Sequence, residues 1–398
     1  MSRLEELINE LCPDGVQYVT LEDISTDMFR GTGITRNQIT DNGTPCVRYG
    51  EIYTTYGICF DKCVSYTNEE LLSSKKYFEF GDILFAITGE SVEDIAKSCA
   101  YLGNEKCLAG GDIVVLKHNQ NPKYISYALS TTSARMQKSK NKVKNKVVHS
   151  SIPSIKEIII PLPPLEIQQE IVHILDNLTD IIEKLKTKLQ EEITARKKQY
   201  EYYCKEIFLF KNNKDIKWVR LSEIADIGTG SSNTKEGVEV GKYPFFVRSQ
   251  EVRRKNEFEF DETAIITAGD GVGVGKVFHY VEGKYALHQR AYRIHINSNI
   301  VIDKYFYYYM KGTFLTYIEK MAVNSSVTSI RRKMLDDYQV PITSLEEQRK
   351  IIDILDMIEQ QYNNISETLR VEIKARQKQY EYYRDKIFSF KELKKEGV

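Results

Sequence analysis

PLPPLEIQQEIVHILD at residues 161–176 returns as PITSLEEQRKIIDILD at residues 341–356, and ARKKQYEYYCKEIFLF at 195–210 returns as ARQKQYEYYRDKIFSF at 375–390. The offset is 180 throughout, with no gap, and 22 of the 50 positions from 161 to 210 are identical in the second copy. A long internal repeat is read first, because it decides the architecture. Neither copy contains Gly or Pro beyond its first residues. Apolar residues recur in steps of three and four: Ile171, Leu175, Leu178, Ile182, Leu185 and Leu189 in the first, Ile351, Leu355, Ile358, Tyr362, Ile365 and Leu369 in the second. That is a coiled-coil seam. It continues through Tyr200, Tyr203, Ile207 and Phe210, and through Tyr380, Tyr383, Ile387 and Phe390, after Arg196 and Arg376. Each copy therefore predicts one helix of about 44 residues, about 66 Å long at the α-helical rise. Ser344 with Glu347 fits a capping box, and Pro164 suits the start of the first helix. Two helices with one apolar stripe each bury it most simply against each other.

The repeat extends outward. Val19, Leu21 and Ile24 match Val219, Leu221 and Ile224, and CVRYGEI (46–52) matches FVRSQEV (246–252). FGDILFAITG (80–89) matches FDETAIITAG (260–269), and KYISYAL (123–129) matches KYFYYYM (304–310). The offset falls from 200 to 180 between Glu51 and Phe80, which predicts about 20 extra residues there, read as a surface loop or hairpin. The order is circular: the residues opening the chain stand where the tail of the first helix stands before the second domain. Runs such as ILFAI, IVVL, AIITA and YRIHI read as strands, and the Tyr-rich segments near each domain's end as helices. The fold class is α+β: two β-rich domains, 1–160 and 212–340, separated by long helices at 161–211 and 341–398. The helices are expected to pack antiparallel as a pseudo-twofold object, because only residues 211–218 link the first helix to the second domain.

Composition excludes several classes. The 56 basic and 56 acidic residues cancel, so any nucleic-acid signal must be local. Seven cysteines without metal-type pairing predict free thiols in a reducing compartment. Cys59 and Cys63 lack a second pair to complete a zinc site. No apolar run is long enough to span a membrane, and MSRLEELINELC lacks the apolar centre of a signal peptide. A cytoplasmic location is expected. GDGVGVGK (269–276) fails the phosphate-loop pattern at Asp270 and Val277, and the dinucleotide pattern at Lys276, so it reads as a turn or loop. Glu282 and Lys284 have no PD partner in their own domain, and the six histidines form no metal or triad spacing. No DPPY-type tetrapeptide marks an adenine methyltransferase. The chain reads as non-catalytic.

Local basic clusters carry more. Arg135, Lys138, Lys140, Lys142, Lys144 and Lys146 form a run without an acid, suited to phosphate contact or simply a solvated face. Arg48 in the first domain, and Arg248, Gln250, Arg253, Arg254, Lys276, Arg290, Arg331 and Arg332 in the second, are candidates for base or phosphate contact. Arg and Gln carry the forked groups that read guanine and adenine edges. The domains differ most in these polar loops, as two reading surfaces on one scaffold would; drift after duplication is the plainer account. Tyr202 and Tyr382 lie off the seam, and with Lys198 and Lys378 are candidates for a protein interface. Tyr203 and Tyr383 lie on it and are expected to pack inside.

The two helix starts, FGDILFAITG and the opening LEELINELCPDGV together resemble the DNA-specificity subunit of Type I restriction–modification systems, over nearly the whole chain. The resemblance implies that each globular domain is a target-recognition domain reading one half of a split, asymmetric double-stranded DNA site. It implies helices that space the domains and dock two methyltransferase subunits, which bind S-adenosylmethionine and methylate adenine. Restriction (motor-nuclease) subunits complete the complex, and this chain holds no cofactor and no catalysis of its own. The helix length is expected to set the gap between half-sites. The competing reading is a coiled-coil scaffold joining two protein partners without DNA readout.

Overall fold

The computed structural model describes residues 2–140, 147–210, 216–321 and 329–393. The chain divides into two compact units, Met1–Thr187 with Glu372–Val398, and Lys188–Val371. Each combines one β-rich domain with the start of one long helix and the end of the other. The long helices are Leu165–Glu206 and Leu345–Ile387. Ser344 accepts from Glu347 N at 3.2 Å, the expected cap, and Pro164 O accepts from Ile167 and Gln168 N at 3.0 Å.

In the first unit, one five-stranded sheet runs in the order Ser25–Arg30, Ile113–His118, Ile83–Ala86, Ser98–Tyr101, Cys59–Phe60. Its central strands are buried on both faces, which is why they read as unbroken apolar runs. Ile83, Phe85, Val114 and Leu116 pack on the helix Pro122–Ser130 and the start of the first long helix. The alternate residues Leu84, Ala86, Ile113 and Val115 pack in a separate cluster with Val47, Phe78 and Cys107 from a second five-stranded sheet. Side chains alternate across a strand, so one strand serves two cores. The second unit repeats this with two four-stranded sheets, Ala225–Thr229, Ala291–Ile296, Ala264–Ala268, Phe278–Val281, and Arg253–Lys255, Tyr243–Phe246, Lys284–Leu287, Phe260–Asp261.

The circular order is visible in each core. In the first unit Ile167, Ile171, Val172 and Leu175 share a cluster with Phe388 from the other helix's tail, and Thr179 meets Tyr380 at 3.0 Å. Position rises on one helix as it falls on the other, so the packing is antiparallel. The tail then closes onto the beginning of the chain, with Val16 N donating to Lys391 O at 2.8 Å and Leu393 N to Val16 O at 3.0 Å. In the second unit the tail residues Cys204 and Phe208 share a cluster with Ile351, Ile352 and Leu355, and Tyr200 donates to Glu359 at 3.0 Å.

The LExQ glutamines explain the repeated motif. Gln168 and Gln348 are fully buried. Gln168 accepts from Asn121 N at 3.1 Å and donates to Pro163 O at 2.8 Å. Gln348 accepts from Ile302 N at 2.9 Å and donates to Thr343 O at 3.0 Å and Ile300 O at 2.8 Å. A buried amide so satisfied locks the helix start to the loop before the domain's last helices.

Two expectations need correction. The extra residues between Glu51 and Phe80 are not a surface loop. Tyr56, Phe60 and Cys63 are buried, Tyr56 stacks on Phe60 at 4.0 Å, and Cys59–Phe60 joins the first sheet beside Ser98–Tyr101. The insertion fills a core between sheets. The seam also changes step near the helix ends. Tyr200, Cys204 and Phe208, then Arg384 and Phe388, are the buried residues, whereas Tyr203 and Tyr383 are 44% and 45% exposed. Steps of four aim the tails at the domain helices, where Phe208 sits edge-on to Tyr305 and Tyr309.

Candidate nucleic-acid interface

In the second unit several of the proposed DNA contacts converge. Asp270, on the loop after Ala264–Ala268, accepts from Arg248 Nη1 at 2.5 Å through one carboxylate oxygen and from Arg290 Nη1 at 3.2 Å through the other. Burial alone would raise the Asp270 carboxyl; the two guanidiniums outweigh it and hold it below the usual range. Gly269 N donates to Arg290 O at 2.9 Å, and Ile330 N to Gly269 O at 2.8 Å, which brings Arg331 beside the same loop. Lys276 lies exposed on it, and Gln250 is exposed just after Arg248. Arg332 bonds Asp336 at 2.8 Å and the carbonyl of Ile227. Arg253 and Arg254 are exposed on the outer strand Arg253–Lys255 of the other sheet, and Arg253 donates to Thr234 O at 3.2 Å.

Arg48 stands at the same place in the repeated VR motif as Arg248 and also has a carboxylate brace, but a local one, three residues on, rather than one from a separate loop. Its Nε donates to Glu51 Oε1 at 2.9 Å, and Glu51 is fixed in turn by Ser65 Oγ at 2.6 Å. Arg48 lines a groove of about 440 Å³ with Arg36, Tyr49 and the backbone of Gly33, Gly110 and Gly111. Arg36 and Tyr49 were not among the sequence candidates, although Tyr49 directly follows the matched arginine.

The basic run divides. Arg135 lies 3.7 Å from Asp94, and Lys140 is exposed at the end of the helix Thr132–Ser139. Lys142, Lys144 and Lys146 lie outside the described residues. Lys138 does not belong with the phosphate contacts. It is 6% exposed, and its ammonium donates to Leu129 O at 2.9 Å and Ser98 Oγ at 3.1 Å. Its place on the buried face, four residues after buried Ala134, turns it inward. Burial first, then Arg135, pull its pKa down to about 7. Neutralising Lys140, Lys142, Lys144 and Lys146 together is expected to weaken binding to every duplex alike. Fluorescence anisotropy across a salt series would show the slope of log K against log salt falling by up to about 3–4. Loss confined to one base pair would assign the run to base readout instead.

On the helices, Tyr202 and Tyr203 form an edge-to-face pair at 5.7 Å, and Tyr382 and Tyr383 an equivalent pair at 5.4 Å. All four rings are exposed, as are Lys198 and Lys378. Among the described residues no cluster of His, Cys, Asp and Glu could hold a metal ion, and all seven cysteines are free. No described helix is long and apolar enough to cross a membrane.

A duplicated α+β framework that presents different arginine-bearing loops from two domains is the arrangement of a recognition protein. Residues 13–195 and 213–375 match the family described as Type I restriction modification DNA specificity domain. The chain is 32% identical over 296 residues to the Type I restriction enzyme EcoR124I/EcoR124II specificity subunit of Escherichia coli, covering 67% of this chain and 70% of that one. Its fold is similar to a chain solved in work on assembly and conformational transition of the type I R-M system, with TM-score 0.71, 19% identity, and 94% and 98% of the two chains covered. The HsdS subunit from Thermoanaerobacter tengcongensis aligns at TM-score 0.50 and 17% identity, over 95% and 97%. The chain belongs to the Type I restriction–modification DNA specificity family, and its part in such a system is recognition rather than catalysis.

Proposed function

We propose that this chain reads a bipartite, asymmetric double-stranded DNA target in the cytoplasm, one half with each domain, and positions two adenine methyltransferase subunits and restriction subunits on it. The observation that carries this is matched framework with unmatched tips. Arg48 and Arg248 share a place in the repeated VR motif, yet one is braced by a local carboxylate and faces a glycine-lined groove, and the other is braced from a separate loop beside a second arginine. A scaffold that only joined proteins would have no use for that difference. S-adenosylmethionine belongs to the methyltransferase partner, which supplies the methyl group.

Single-molecule methylation sequencing of host DNA with and without this gene is the test. Loss of one split adenine-methylated motif is the expected result; unchanged methylation with the partner genes expressed would refute it. Residues inserted within 177–190 are expected to alter the gap between the halves while leaving both halves intact.

The tyrosine pairs support the docking of two copies of one partner, since the last two tyrosines of the same QYEYY block stand exposed on both helices. Exposed aromatic pairs flanked by lysine have the composition of binding hot spots. Alanine at Tyr202, Tyr203, Tyr382 and Tyr383 together is expected to weaken methyltransferase capture about a hundredfold in a pull-down titration. Complex formation at wild-type strength would remove these rings from the interface.

A further inference from the structure

The glycine-rich loop 269–276, which resembles a phosphate loop and is none, has a geometry that folding alone does not require. Val272 at its tip is 98% exposed. On either side the loop is fixed. Gly271 and Gly275 have φ of +81° and +67°, the left-handed region that glycine adopts without strain. A side chain at Gly273 would place its Cβ 2.5 Å from Arg248 O, so the loop lies against the backbone of that arginine. Val274 and Val277 are buried and anchor it. The one exposed apolar side chain of the loop sits at its apex, two residues from Asp270, which holds Arg248 and Arg290.

We propose that this loop is a base-reading element of the second domain. Val272 contacts a thymine C5-methyl group in the major groove, and Asp270 is a positioning residue that holds Arg248 and Arg290 toward an adjacent guanine. The proposal rests on the DNA-reading function above. Asp270 spends one oxygen on each guanidinium, which leaves the other N–H groups of both arginines to donate elsewhere. Two arginines this close repel each other, and the shared carboxylate both cancels that repulsion and fixes their planes. Guanine O6 and N7 accept a guanidinium pair, and an apolar β-branched side chain matches the thymine methyl. Valine also loses little rotamer freedom on contact.

The first domain supplies the comparison. Its loop 90–97 has Ile95 buried where the second has Val274, Ala96 at φ +56° where the second has Gly275, then Lys97 where the second has Lys276. The anchors agree. The tips do not, since the first carries Glu90, Glu93 and Asp94. A loop needed only for folding has no reason to keep its anchors and change its apex.

The test uses the full chain in complex with its methyltransferase partners and duplexes carrying the target with single-base changes in each half. Replacing one thymine of the second half by uracil, which removes only the methyl group, is expected to weaken wild-type binding about fourfold. That same replacement is expected to have no effect on Val272→Ser. Asp270→Asn is expected to cut discrimination at one G·C pair of the second half about tenfold. Discrimination in the first half, and the melting temperature of Val272→Ser, are expected to be unchanged. Wild-type binding indifferent to every thymine-to-uracil change, or a second half without thymine, overturns the proposal while leaving the DNA-reading function standing. Absence of discrimination in either half would overturn both.

Discussion

Lys311→Met is expected to cost the second unit about 1.5–3 kcal/mol, the range for hydrogen bonds to a charged group in a half-buried ion pair. Lys311 Nζ donates to Glu359 Oε1 at 2.6 Å and to Tyr200 Oη at 2.8 Å, and Glu359 also accepts from Tyr308 at 2.8 Å and Tyr200 at 3.0 Å. The network joins the domain's last helix to both long helices. Burial would raise the Glu359 carboxyl, but Lys311 outweighs it and holds it low. Its contribution is therefore complete above the unfolded carboxyl pKa, and disappears as pH falls through the lower folded value. Without Lys311 the half-buried carboxylate keeps only hydroxyl partners. The first unit indicates the remedy. Ser130 and Thr179 stand at the equivalent positions, where Thr179 meets Tyr380 at 3.0 Å and Tyr127 at 3.3 Å and no lysine–glutamate pair is needed. The double variant Lys311→Ser, Glu359→Thr is expected to regain most of the loss. Urea midpoints at constant slope decide it. A single variant as stable as the parent, or a double variant no better than the single, would show that the pair is not a unit.

That comparison shows why the framework was legible and the details were not. The repeat carried the helices, their caps and the circular order, because apolar spacing and backbone caps act locally along the chain. The brace around Arg248 was not legible: Asp270 lies 22 residues away, and only the sheet brings it near. Gln168 and Gln348 recur in the two helix starts, but their use appears only when the loops at 120–121 and 300–302 fold onto them. Tyr203 and Tyr383 continue the heptad in the sequence, but each helix leaves its partner for the domain before it reaches them, so both rings stay exposed. Lys138 belongs by sequence to a basic run, but its helix has a buried face, and that face takes it inward.

Lys138→Met is expected to stabilise the first unit, by up to about 4 kcal/mol near pH 7 before losses from its hydrogen bonds are subtracted. The bound follows from the fall of its pKa to about 7, against about 10.4 for an unfolded lysine. A lysine depressed on folding binds fewer protons folded than unfolded between those values. The unfolded state therefore holds the extra proton, and stability must rise with pH across about 7 to 10.4, with the full cost present below pH 7. No carboxylate donates relief: the ammonium has only Leu129 O and Ser98 Oγ, with the Phe85 ring 5.6 Å away. Methionine fits a slot shaped for an unbranched chain, and can rest its thioether against that ring. Two acceptors lose a donor, at about 1 kcal/mol or more each, so a net gain of about 1–2 kcal/mol is the working expectation. Urea unfolding of both proteins from pH 6 to 10 separates the effects. The variant is expected to be the more stable at pH 6, with the gap closing at about pH 8–9 and the wild type the more stable by pH 10. A gap that stays constant with pH would mean that Lys138 is neutral, or solvated, throughout. DNA binding is the control that matters for function. A residue enclosed by Ser98 and Leu129 touches no phosphate, so the salt dependence of binding should be that of the wild type, while loss of Lys140, Lys142, Lys144 and Lys146 flattens it.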